Sequence, residues 1–200
     1  LHVRSRRQRQ MCIRDSDGTM AYVLAQTGQP AEAERLSREA LSRPGLSDET
    51  IALANGQLGT LLAHGGRLDE ADLLLTKAID GLDEGSIESA NCLMSRSVVN
   101  MQRHRLDECS ADLQRAIAAY EAHGADAPLA EARHNLGYAA LLGGDLVTAL
   151  GLMTRSRPIL AATSDLAAAI SDLDRAEVLR DAGLTLSLIH ISEPTRLRRI

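Results

Sequence analysis

Apolar and small residues recur along the chain at helical spacing, and the pattern returns with a period of about 38–40 residues. The stretch GGRLDEADLLLTKAI (Gly65–Ile79) aligns with RHRLDECSADLQRAI (Arg103–Ile117), one period later. TGQPAEAERLSREAL (Thr27–Leu41) precedes Gly65–Ile79 by one period, and GGDLVTALGLMTRSR (Gly143–Arg157) follows Arg103–Ile117 by one period. No window of useful length alternates with period two, so no strand is predicted. The pattern predicts an all-α chain of about four and a half repeated units.

Each unit carries small residues at matching positions, and these positions predict where two helices touch. Helices approach closely only where side chains are small, and leucines fill the space around such points. Glycine pairs such as Gly65-Gly66 and Gly143-Gly144 predict the turns between the two halves of a unit. We therefore predict antiparallel helix pairs. The small residues are Ala21, Gly59, Ser97, Gly137 and Ala176 in the first helices; Ala33, Ala71, Cys109 and Ala149 in the second helices; and, seven residues on, Ala40, Ala78, Ala116 and Ser156.

These motifs resemble the tetratricopeptide repeat (TPR). The run Leu58-Gly59, Leu62, Ala71, Leu75, Ala78 follows the TPR pattern of a Leu-Gly pair, a large residue and spaced alanines. The third unit departs from it, with Arg96 and Asn100 where leucine and a large residue are usual. The period also exceeds the family's usual value of about 34 residues, which suggests longer helices. The resemblance covers residues 17–185 and implies a right-handed superhelical solenoid.

The two ends of the chain do not continue the repeat. A fifth unit begins at Ser171–Thr185, but LSLIHISEPTR (Leu186–Arg196) follows where its second helix is expected. This stretch, and RRQRQMCIRDS (Arg6–Ser16), are similar to the translated arms of a transposase-based sequencing adapter. We therefore expect residues 1–16 and 186–200 to be adapter-derived and unstructured, and residues 17–185 to be a fragment of a larger protein whose last repeat is truncated.

Removing the ends makes the remaining segment strongly acidic. The whole chain has a net charge of −5, while residues 1–16 contribute +4 and residues 186–200 contribute +2, which leaves −11 for residues 17–185. Binding to phosphate-rich partners requires clustered lysine and arginine, so we expect neither nucleic acid nor membrane as a partner. No apolar run approaches membrane-spanning length, and we expect a cytoplasmic protein.

No catalytic or metal-binding motif is present, and no enzyme activity or cofactor is predicted for these residues. The sequence lacks a phosphate-binding loop, an HExxH and a GxSxG. His64 and His104 fall in separate units without the spacing of convergent metal ligands. Cys109 takes the small-residue position of its unit, which favours burial over reactivity. The Arg-Leu-Asp-Glu runs favour a solvated face with local ion pairs.

The TPR resemblance also implies a binding groove. In that family, certain first-helix positions line a concave face that holds peptides, and here those positions carry polar and aromatic side chains suited to extended peptides. The alternative is that they are ordinary exposed residues, or that they contact another domain of the parent chain. The positions are Tyr22 and Gln26; Gln57, Thr60 and His64; Asn91, Ser95, Val98 and Gln102; and Glu131, His134, Asn135 and Tyr138.

The stretch EARHNLGYAALLGGDLVTAL (Glu131–Leu150) also resembles the helical region of bacterial CHAT proteins, whose repeats precede a caspase-like peptidase domain. The resemblance implies an interaction scaffold or regulatory arm attached to such a domain. The alternative is the ligand-sensing arm of a bacterial transcriptional regulator or signalling ATPase. The expected partner is a protein, a peptide or another domain of the parent. Self-association is also expected, through exposed apolar residues of the last repeat, Leu173, Val178 and Leu179.

Overall fold

The computed structural model describes residues 28–184 of the chain. These residues form helices joined by short turns, and none of them lies in a strand. The prediction of an all-α fold is confirmed. The helices are α1 (Pro30–Leu41), α2 (Asp48–His64), α3 (Leu68–Gly81), α4 (Ile87–Gln102), α5 (Leu106–Ala122), α6 (Asp126–Leu142), α7 (Leu146–Thr163) and α8 (Asp165–Asp181).

The predicted period appears directly in the helix bounds. The first helices of successive units, α2, α4, α6 and α8, begin at Asp48, Ile87, Asp126 and Asp165, which are evenly spaced along the chain. The second helices are α1, α3, α5 and α7. Ser47 caps the start of α2, since its side chain accepts a hydrogen bond from the backbone N–H of Thr50 at 3.2 Å.

The turn between the two helices of a unit requires a left-handed residue. Among the three turns whose two helices are both described, two use glycine for it, because Gly66 and Gly144 have φ of 74° and 82°. The third turn uses His104 at φ 56°, a conformation that is uncommon outside glycine. The repeated turn geometry is therefore kept even where the sequence does not supply glycine.

On a larger scale than the single repeats, the chain divides into two compact units, the first of residues 1–99 and the second of residues 100–200. In the first unit, α2 and α3 run antiparallel in close contact along a line of small residues. A Cβ built on Gly81 would lie 2.9 Å from Cβ of Ala52, and one built on Gly59 would lie 2.8 Å from Cγ of Leu75. Ala71 and Ala78 are fully buried in the same contact. Gly59, Ala71 and Ala78 are thus closely packed or buried as predicted, whereas the close approach of Gly81 to Ala52 was not predicted.

Cys92 contributes to a second close approach in the first unit, between α2 and α4. A Cβ on Gly56 would lie 2.6 Å from the sulfur of Cys92, so a larger residue there would require the Cys92 side chain to move. Cys92 is a free, buried thiol, like Cys109 of the second unit. Both cysteines therefore pack as small apolar side chains.

The second unit repeats this packing with α6, α7 and α8. A Cβ on Gly137 of α6 would lie 3.1 Å from both the carbonyl oxygen of Ala149 and Cγ of Met153. Ala149 and Met153 of α7 join Leu141 of α6 and Val178 of α8 in one buried cluster. This cluster fixes the three helices against each other, because each of them contributes at least one fully or almost fully buried side chain.

One expectation about α8 is wrong. Val178 and Leu179 are buried, with 1% and 6% of their surface exposed, rather than open to solvent. Val178 faces back onto the α6–α7 cluster, and this cluster covers it. Leu173, by contrast, is 69% exposed, as expected, and it shares its face of α8 with exposed Leu166 and Ile170.

Ion pairs link neighbouring second helices across the surface of the first unit. Arg67 of the first Arg-Leu-Asp-Glu run reaches Glu34 of α1 with a distance of 2.6 Å between Nη1 and Oε1. Glu70 of the same run pairs with Arg38 of α1 and with Arg67. Hydrogen bonds from Arg38 and then Arg67 hold the pKa of Glu34 below its ordinary value. The partners are partly exposed, so we expect a small contribution to stability.

The close approach at Gly59 leads to a testable difference between two helical glycines. Gly59→Ala should lower the free energy of unfolding by about 1–3 kcal/mol, because the new methyl group overlaps Leu75. Gly151→Ala in α7 meets only the end of the Arg155 side chain, at 3.5 Å. It should raise the free energy of unfolding by up to about 1 kcal/mol through helix propensity. Chemical denaturation measures both, and a stabilising Gly59→Ala would contradict the packing described here.

Candidate functional site

The predicted groove residues on α2, α4 and α6 differ in how far they are exposed to solvent. Gln57, His64, Asn91, Gln102 and Glu131 are exposed. Thr60, Ser95, Val98, Asn135 and Tyr138 are partly exposed, while His134 is buried. Tyr22 and Gln26 lie outside the described residues.

In the first unit, two of the predicted residues come together. The hydroxyl oxygens of Thr60 on α2 and Ser95 on α4 are 2.8 Å apart, within hydrogen-bond distance. The Thr60 hydroxyl also lies 3.0 Å from the carbonyl oxygen of Gly56, so it is tied to its own helix. This contact links the adjacent first helices α2 and α4. Gln57 and Asn91, which precede Thr60 and Ser95 on the same two helices, are exposed.

In the second unit, α6 carries the densest group of predicted residues. Glu131, Asn135 and Tyr138 follow each other at spacings of four and three residues, so they share one side of the helix. Tyr138 packs against the buried cluster of Leu141, Ala149, Met153 and Val178, while part of its surface remains open. Its ring is therefore held by the core rather than free to rotate away.

His134 occupies the same helix, but it is turned into a contact with α8. Only 5% of its surface is exposed, and its Nε2 lies 2.8 Å from Oδ2 of Asp174. Its other ring nitrogen, Nδ1, is buried and has no hydrogen-bond partner among the described residues. Sequence position alone places His134 with the exposed groove residues, and the difference arises because α8 covers this part of α6.

Asp174 and Glu177 of α8 are functional candidates that the sequence pattern did not single out. Burial raises the pKa of Tyr138, and the negative charges of Glu177 and Asp174 raise it further, which places both carboxylates in the electrostatic neighbourhood of the phenol. The even spacing of the first helices offers the missing signal, since it relates Asp174 to Asn135 and Glu177 to Tyr138. The same positions of two successive first helices therefore carry Asn135 and Tyr138 on α6, and Asp174 and Glu177 on α8.

The described residues offer little for covalent or metal chemistry. Burial raises the pKa of the Cys92 and Cys109 thiols to about 11 each, which disfavours the reactive thiolate. No group of three or more potential metal-ligating His, Cys, Asp or Glu residues occurs within residues 28–184. None of the helices in that range is long and apolar enough to cross a membrane.

Comparison with known proteins identifies the fold. No family model matches the sequence, and no curated protein matches it. Among solved structures, BtubC (BKLC) from P. vanneervenii has a TM-score of 0.77 at 18% identity, covering 92% of this chain and 79% of its own. A putative kinesin light chain from Podosopora anserina with nearly identical TPR-like repeats has a TM-score of 0.73 at 17% identity, covering 91% and 92%.

A Rap protein complexed with competence and sporulation factor is also similar, with a TM-score of 0.75 at 11% identity. The match covers 86% of this chain and 49% of the Rap chain. Identities this low establish the fold and nothing further. The chain thus has the TPR-like solenoid fold that its repeat pattern predicts.

The His134–Asp174 contact leads to a stability prediction. Asp174→Ala should lower the free energy of unfolding by about 1–3 kcal/mol, because it leaves the buried His134 ring without its hydrogen-bond acceptor. Asp174→Asn should cost less, since the amide oxygen still accepts a hydrogen bond. Glu121→Ala, which removes an exposed ion pair with Arg133, should cost less than about 1 kcal/mol. Thermal unfolding of the three variants tests this order, and equal losses for Asp174→Ala and Glu121→Ala would contradict it.

Proposed function

We propose that this chain is a protein-interaction module that binds an extended peptide, or an extended segment of a partner protein, on the outward side of its first helices. The observation that carries the proposal is the single row of Glu131, Asn135 and Tyr138 on α6. A carboxylate, an amide and a phenol there offer acceptors, donors and a flat apolar surface within two helical turns. No chemical reaction is assigned to these residues.

The rigidity of α6 supports this proposal. On the side of α6 that faces α7, the backbone at Gly137 lies in close contact with Ala149 and Met153 of α7. This contact fixes the position of α6. Ala132 and Ala139 are buried on the same helix. A recognition surface on a fixed helix needs little ordering when a ligand binds, so less of the interaction free energy is lost to conformational entropy.

Charge supports a particular class of partner. Residues 17–185 carry a net charge of −11, so basic or neutral peptides should associate more readily than acidic ones. Binding should weaken as the salt concentration rises, because exposed charges are screened.

The structural neighbours support a peptide or protein partner as well. The Rap structures are complexes, one with competence and sporulation factor and one, the Rap conjugation gene regulator of plasmid pLS20, with the Phr* peptide.

We propose that this chain acts likewise as a scaffold or sensor arm in the bacterial cytoplasm, attached to a CHAT peptidase domain. The alternative parent is a transcriptional regulator or signalling ATPase. Genomic sequence downstream of Thr185 distinguishes them by a caspase-like His and Cys pair or a DNA-binding helix-turn-helix.

The same genomic sequence tests the proposed origin of the two ends. We propose that residues 1–16 and 186–200, which lie outside the described residues, derive from sequencing adapters. An uninterrupted reading frame in genomic DNA should then encode other residues at both ends. A genomic frame that encodes LSLIHISEPTR after Thr185 would refute the adapter origin.

Self-association through α8 is a second proposal, and it leads to a prediction. Leu166, Ile170 and Leu173 are exposed at helical spacing and form an apolar stripe on α8. The apparent mass should rise with concentration in sedimentation equilibrium, and the double change Ile170→Gln, Leu173→Gln should shift the chain towards monomer. Val147→Gln removes a separate exposed apolar side chain on α7 and should have little effect. A wild-type chain that stays monomeric at high concentration would overturn the proposal.

The binding proposal is tested with a peptide selected from a random library by the wild-type protein. The double change Asn135→Ala, Tyr138→Ala should weaken its binding at least tenfold, or about 1.4 kcal/mol, by isothermal titration calorimetry. The control change Gln114→Ala, Thr154→Ala alters two exposed polar residues on the second helices α5 and α7. Equal weakening by both pairs would remove the binding surface from the first helices.

A further inference from the structure

We propose that Tyr138, Asp174 and Glu177 form a subsite for one basic side chain, lysine or arginine, of the bound peptide. The inference rests on the proposed function, and it adds the chemical class of the residue that the peptide must carry. It also adds two residues of α8 to a surface that the sequence pattern assigned to α6.

Two facing helices build the subsite. Tyr138 lies on α6, Asp174 and Glu177 lie one helical turn apart on α8, and the hydrogen bond between His134 and Asp174 joins the two helices beside them. All three residues are partly exposed, so a ligand can reach each of them. Tyr138 is anchored in the core through its contact with the cluster of Leu141, Met153 and Val178. The side chains are therefore positioned before any ligand arrives.

The chemistry of the three groups is selective for a cation. An aromatic face attracts an ammonium or a guanidinium group through its quadrupole, and carboxylates beside it add charge-assisted hydrogen bonds. The hydrogen bond between His134 and Asp174 brings α8 against α6 beside Tyr138, and the raised pKa of Tyr138, caused by burial and then by the charges of Glu177 and Asp174, agrees with this placement. The same two carboxylates would repel an acidic side chain of a peptide.

Of the two arginines of α8, only Arg180 contacts a carboxylate of the subsite. Arg175 is engaged by Asp172, at 3.3 Å between Nη1 and Oδ1. Arg180 contacts Glu177 at 3.2 Å, but it also contacts Asp181 at 2.9 Å, and it is largely exposed. An exposed pair of this kind contributes little, so a ligand cation can take the place of Arg180 beside Glu177 while Arg180 keeps Asp181.

His134 provides an independent observation at the same place. A carboxylate only accepts hydrogen bonds, so Nε2 of His134 carries the hydrogen that it shares with Asp174, and the second polar atom of the ring is Nδ1. This atom is buried without a partner among the described residues. Buried polar atoms without a partner are rare in folded proteins, and this one belongs to the ring that is hydrogen-bonded to Asp174, so the described side chains leave the α6–α8 contact beside the subsite incompletely satisfied.

The experiment compares a selected basic peptide with its own uncharged version. The peptide is synthesised with each arginine replaced in turn by citrulline, and each lysine by acetyl-lysine, which remove the charge and largely keep the shape. Binding of each pair is measured to the wild-type protein, to Glu177→Gln and to Asp174→Asn. Glu108→Gln is the matched control, because it removes an exposed carboxylate from the second helix α5. A thermal melt of each variant verifies folding.

At one peptide position, neutralisation should weaken binding to the wild type about tenfold. Glu177→Gln should weaken the charged peptide by about fivefold and leave that neutralised peptide unchanged, whereas Glu108→Gln should change neither. If Glu177→Gln weakens charged and neutralised peptides equally, or not at all, the subsite is refuted while the proposed function stands, provided that Asn135→Ala, Tyr138→Ala still weakens binding at least tenfold. If no library peptide binds the wild-type protein, the proposed function fails and the subsite with it.

Discussion

The structure depends on the close approach of helices at glycine and alanine. At Gly59 and Gly137 the backbone of a first helix lies so close to its second helix that an added methyl group would overlap Leu75 or crowd Ala149 and Met153. Each contact fixes the rotation of a first helix about its own axis, because only the side of the helix that carries glycine lets the second helix approach this closely. The opposite side is thereby directed away from its pair partner, whatever residues it carries. A requirement of packing thus determines which side chains are available for recognition.

In the second unit this constraint leaves a mixed surface on α6 and α8. Part of the α6 side is covered by α8 and becomes structural, as the His134–Asp174 contact shows. The remainder, with Asn135 and Tyr138, stays accessible and gains the carboxylates of α8. One helix contact therefore both anchors the array and supplies charge to the adjoining surface. Recognition by such a scaffold resides in the side chains it displays, because the fold itself serves many partners.

The fold was predictable from the sequence because its determinants are local and repeated. Ala71 and Ala149 marked the helix contacts, and Gly66 and Gly144 marked two turns. The candidate site was less predictable, since it depends on which neighbour covers each position. A single helix pattern gave no indication that His134 is buried by Asp174, or that Val178 packs back onto α6 and α7. Both outcomes follow from contacts between helices, which the spacing within one helix does not record.

If partners bind the first helices while the second helices serve packing, a bound peptide should protect only the first helices. Amide hydrogen exchange, measured by mass spectrometry with and without a saturating selected peptide, detects this protection. The peptide should slow exchange in α6 and α8, residues 126–142 and 165–181, and leave α5 and α7 unchanged. Slowing confined to α5 and α7, or to the turns between helices, would show that the first helices are not the binding surface.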